Sequence, residues 1–109
     1  MILNIRIDDQ QQSLEVPDGM LSAATDFFSK MDTDMDNGWQ MSQRWVDMPT
    51  AEQRCQVAGN KILIAIDAKK SKMMMLMAAY VLYKLPNIKL LDISTNGDMF
   101  DTFIEYNEA

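Results

Sequence analysis

The chain opens on strict alternation of apolar and polar residues. Leu3, Ile5 and Ile7 point one way and Asn4, Arg6 and Asp8 the other, so "LNIRID" predicts a half-buried strand over residues 3–8. "QQQ" reads as a polar connection, and "SLEVP" predicts a second short strand ended by Pro17 and the turn signal "PDG". The two strands suit an N-terminal hairpin. From Met20 the period lengthens. Leu21, Ala24, Phe27, Phe28 and Met31 form one apolar stripe at helical spacing, and the helix is expected to stop near Asp32. "SQRWVDM" predicts a short helix capped by Ser42 and stopped before Pro49.

The next helix carries a stronger signal. In "TAEQ", Thr50 is the N-cap and Gln53 stands three residues on, which is a capping box. Cys55, Ala58, Ile62, Ala65 and Ile66 form its buried stripe, widened by Leu63. Ser71 is expected to cap a further helix, "KMMMLMAAYVLYKL", which Pro86 closes. "IKLLDIS" and "MFDTFIEY" then flank "TNGD", whose Asn96-Gly97 is a type I′ hairpin signal. The order is strand, strand, helices, strand, strand. It predicts an α+β fold with one antiparallel sheet, built from the N-terminal strand or hairpin and a C-terminal hairpin, and about three helices on one face.

Composition narrows the function classes. At 109 residues and 48% hydrophobic, the chain suits a single domain, residues 1–109, with a core of its own. The net charge of −6 lies in residues 1–50, which hold three basic and nine acidic residues; the remainder is balanced. A phosphate backbone is repelled by such a surface, so no nucleic acid is expected as a partner. The longest apolar run, residues 73–83, is shorter than the ~20 residues of a membrane span. With no signal peptide in "MILNIRIDDQ" and a single cysteine, the expectation is a cytoplasmic protein that meets no membrane.

Catalytic signatures are sparse. There is no histidine, no glycine-rich phosphate loop and no nucleophile elbow. Cys55 falls on a buried stripe with nothing beside it to activate a thiol. Asp101 and Glu105 share one face of the last expected strand and are the carboxylates left for a small enzyme using acid-base chemistry. The expectation leans away from an enzyme, and no cofactor is called for beyond weak calcium.

That cation comes from "MDTDMDNGW". With the helix before it, "DFFSKMDTDMDNGWQMSQRW" (residues 26–45) resembles a degenerate EF-hand loop. The resemblance implies calcium held by Asp32, Asp34 and Asp36 at loop positions 1, 3 and 5, by the Gly38 carbonyl at position 7, and by Gln43 at position 12. Asn37 stands where the pattern has glycine, and Gln43 where it has a bidentate glutamate; the second change removes an oxygen ligand and a charge. The competing reading is an acidic, helix-ending turn whose side chains bond the nearby backbone. The chain as a whole also resembles small proteobacterial proteins, a likeness that brings no activity with it.

The methionine-rich helix raises the other question. It is apolar all round, so it is either the central core helix or partly covered by another chain. Methionine suits adaptable binding surfaces, and a face of Met74, Met77 and Val81 is the expected contact for a homodimer or a protein partner. Copper(I) on Met73 and Met77, or on Met31 and Met35, lacks any cysteine or histidine beside either pair. The leading expectation is a non-enzymatic protein that works by protein-protein contact, with a calcium module as the alternative.

Overall fold

A computed structural model describes residues 1–108. Strands β1 (Ile2–Ile7) and β2 (Gln10–Glu15) form the N-terminal hairpin. Its turn is only Asp8-Asp9, both with positive φ (49° and 66°), the mirror-image turn whose twist matches a hairpin. The "QQQ" stretch is therefore strand rather than connection, because Asp tolerates the left-handed region. The chain then passes through α1 (Met20–Ala23) and α2 (Thr25–Asp36), a small hairpin of β3 (Trp39–Met41) and β4 (Arg44–Val46), and helices α3 (Ala51–Asp67) and α4 (Ser71–Lys84). Strands β5 (Ile88–Asp92) and β6 (Phe103–Tyr106) complete it.

The class is α+β, with a mainly antiparallel four-stranded sheet in the order β2-β1-β5-β6. The central pair, β1 with β5, is parallel. Parallel neighbours need a long crossover, and the helices between them supply it. Leu3, Ile5 and Leu91 are at most 1% exposed on the helix side, while Arg6 and Asp92 form an ion pair at 2.9 Å on the other face. Helix α3 packs on the sheet at Gly59, where an added Cβ would make ordinary van der Waals contact with Leu91, Thr102 and Ile93.

Three local expectations are corrected. Residues 42–48 are the turn and second strand of a hairpin, not a helix. The last two strands pair, but a long connection with a single 3-10 turn (Met99–Asp101) joins them in place of a tight Asn-Gly turn. Asn96 instead accepts from Asp98 N and donates to Asp101, which turns the connection locally. At α4, Lys70 takes the N-cap position rather than Ser71, with no side-chain cap. The Thr50 capping box is present as expected. Thr50 Oγ1 accepts from Gln53 N at 3.1 Å, and Gln53 Oε1 accepts from Thr50 N at 2.9 Å.

Candidate functional site

The three aspartates lie on a helix, not in a loop. Helix α2 continues through them to Asp36 because Met35 repeats the buried position of Phe28 two turns on; both are at most 1% exposed. Helical residues advance by about 100° each, so Asp32 and Asp36 share a face and Asp34 points away. Asp34 is exposed and makes no hydrogen bond or ion pair. The helix ends at Asn37 and Gly38, where Gly38 N donates to Met35 O and φ is +98°. A Cβ at Gly38 would run into the Trp45 ring, so glycine is needed here for the turn. Gln43 sits in the β3–β4 turn, facing Asn96, Gly97 and Asp98 across a shallow groove. The five residues of the calcium expectation thus do not converge. Among the described residues no group of three or more His, Cys, Asp or Glu is placed to hold a metal ion.

What Asp32 and Asp36 meet instead is a polar network joining three helices. From α3, the Arg54 guanidinium donates to Asp32 Oδ1 and O (both 3.2 Å), to Asp36 Oδ1 (2.8 Å) and to Pro49 O (2.8 Å). From α4, Tyr80 Oη donates to Asp32 Oδ1 at 2.7 Å, and Lys84 Nζ pairs with Asp32 Oδ2. Burial alone raises the Asp32 carboxyl. Hydrogen bonds from Lys84, Tyr80 and Arg54 outweigh it and hold the group below the ordinary carboxylate range. Burial lowers the Arg54 guanidinium, but its bonds to Asp36 and Asp32 raise it further. The Tyr80 hydroxyl is pushed well above the tyrosine range, by burial and by donating to Asp32. No buried side-chain polar atom among the described residues lacks a partner. A cation would have to displace Arg54, Tyr80 or Lys84 to reach the Asp32 oxygens, and Asp34 points away, so the donor set does not fit calcium. Its chemistry is that of a clip between helices.

Cys55, next to this network, is fully buried, and burial pushes its thiol up to about 12. Asp101 and Glu105 also part company: Asp101 lies in the 3-10 turn bonded to Asn96, and Glu105 lies on β6 beside Lys89.

The methionine helix is mainly core. Met77 and Val81, expected on a contact face, are 1% and 0% exposed and pack inside their own chain; Met74 is half-buried. Helix α4 reaches the surface at both ends, at Tyr83 (47% exposed) in its last turn and at Met73 (39% exposed) in its first. There Met73 and Met77 face Phe27 and Met31 of α2 across a groove of about 280 Å³, rimmed by Lys30, Lys61 and Asp34. A smaller depression against Met35 and Trp39 shares Met31, Asp34 and Lys61 with it. On the far side of Met73, a shallow concavity is lined by Lys70, Ser71, Lys72 and Leu76. The sequence pointed to methionines on α4 but not to their partners on α2, because two helices must be docked before a groove exists.

No helix among the described residues is long and apolar enough to cross a membrane. Comparison with protein-family models, with curated proteins and with solved structures finds no match for this chain.

Proposed function

We propose that this protein works by protein-protein contact, through the methionine-lined groove between α2 and α4. The observation that carries the reading is the contrast between interior and groove. Inside, polar groups are paired and apolar groups are covered. In the groove, thioether and aromatic side chains from two helices meet the surface in a concave strip with charged groups on its rim. Concave apolar surface with flexible methionines is a recurring form of partner site. The Asp101 and Glu105 carboxylates lend a catalytic reading no support: Asp101 is bonded to Asn96 in the 3-10 turn, and Glu105 pairs with Lys89 on the sheet.

Site-specific photocrosslinking in the native host tests this. A photoreactive methionine analogue at position 73 is expected to give a discrete adduct. The same analogue at Met48, which is 65% exposed but lines none of these concavities, is expected to give none. The same adducts from both positions, or none from position 73, would count against the groove.

A further inference from the structure

The groove also differs from the rest of the molecule in charge. The chain carries ten basic residues within a net charge of −6. Arg6, Arg54, Lys84 and Lys89 are ion-paired. Among the described residues Arg44, Lys30, Lys61, Lys69, Lys70 and Lys72 have no carboxylate partner; Arg44 lies elsewhere, over the Phe100 ring, and Lys61 sits over the Trp39 ring. Lys30 and Lys61 rim one side of Met73 and Lys70 and Lys72 the other, with Lys69 in the adjoining turn; Asp34 is the single acid lining either concavity. Five of these six cations thus lie along or beside the strip where Met73 surfaces.

Resting on the contact reading above, we propose that this strip receives an acidic amphipathic helix of another protein. Its apolar stripe lies on Met31, Met73 and Leu76, and its carboxylates face Lys30, Lys61, Lys70 and Lys72. The occupant is helical because the groove runs between helices and offers no strand edge. An extended peptide would bury backbone groups there with nothing to pair them, whereas a helix satisfies its own. The charge pattern requires an acidic partner, and the concave floor suits protruding side chains. An anionic membrane presents the same charge, but it is flat and does not fill a concave floor.

The probe is a fluorescent helical peptide of about 18 residues, with leucine at i, i+3, i+4 and i+7 spacing and glutamate elsewhere. Its controls are the same peptide with lysine for glutamate, and phosphatidylserine-phosphatidylcholine vesicles. At about 0.15 M salt the glutamate peptide is expected to bind at least ~10-fold more tightly than the lysine peptide, and to weaken as salt rises. Lys30→Glu/Lys61→Glu, and separately Lys70→Glu/Lys72→Glu, are expected to reduce that affinity by ~10-fold or more, while Lys89→Glu leaves it unchanged. Circular dichroism checks that each variant is folded. Equal binding of both peptides, insensitivity to both double variants, lysine-dependent binding of vesicles alone, or self-association that excludes the peptide would each overturn the proposal. A crosslink at position 73 without preference for the acidic peptide would retain the contact reading and remove the acidic helix. Failure of both would remove the groove as a site.

Discussion

Replacing Asp32 by alanine separates a helix clip from a calcium loop. The substitution takes the shared acceptor from Arg54, Tyr80 and Lys84 at once. Removing one partner of a buried ion pair costs about 3–5 kcal/mol, and leaving a buried hydroxyl unpaired about 1–3 kcal/mol. Those values are discounted here. Arg54 keeps Asp36 and Pro49 O, the Lys84 side chain is 24% exposed and can turn to water, and Asp32 itself is 21% exposed. A net loss of about 2–3 kcal/mol is expected, or roughly 10–20 °C in Tm for a chain of this size. Asp34→Ala is the internal control: exposed and unbonded, it is expected to cost less than about 0.5 kcal/mol. Urea unfolding read by Trp39 and Trp45 fluorescence gives both values, with an unchanged slope as the sign of intact two-state unfolding. Calcium at about 1 mM is expected to leave the wild-type midpoint where it was, although that concentration saturates all but the weakest EF-hands. Equal losses at positions 32 and 34, or a calcium-dependent rise that either variant abolishes, would refute the clip.

Other outcomes follow from single groups. Thr50→Ala removes the cap of α3 and is expected to cost about 1 kcal/mol, read as a Tm lower by roughly 4–8 °C in calorimetry. Cys55, with its thiol near 12, holds about one part in ten thousand as thiolate at pH 8, so a disulfide reagent should react with it only on unfolding, in step with urea concentration. Alkali is expected to destabilise the fold. The thiol of Cys55 rises from 9.0 to about 12 and the hydroxyl of Tyr106 from 10.0 to about 12, by burial and, for Tyr106, by donation to Glu52. The unfolded chain therefore releases these protons first, and stability falls as pH rises through that window. Urea midpoints between about pH 8 and 12 measure the fall, and Tyr106→Phe should make it shallower.

The parts of the fold that were legible in the sequence are those whose signal is local. Alternation at Leu3, Ile5 and Ile7 marked β1, and Thr50 with Gln53 marked the start of α3, because each needs only neighbours a few residues away. The failures have one physical origin. At Asp32, propensity favours ending a helix, but burial of Met35 and pairing with Arg54, 22 positions on, carries it forward another turn. The β3–β4 hairpin has three-residue strands, too short to show a period. One clue was available at position 54. Arg54 stands beside Cys55 on the apolar side of its helix, and an arginine there demands a carboxylate from elsewhere. The i, i+4 pair Asp32 and Asp36 supplies it. The groove had no comparable clue, since it exists only where α2 and α4 dock.

The central claim is that the α2–α4 groove is where this protein meets its partner. The eleven methionines allow a direct measurement of it by methyl NMR, with the labelled protein placed in extract of its native host. Selective broadening or shifting of Met31 and Met73, with Met48 and the buried Met41 unmoved, is the expected result. Signals that all stay as in buffer, or perturbation strongest at Met48, would contradict it.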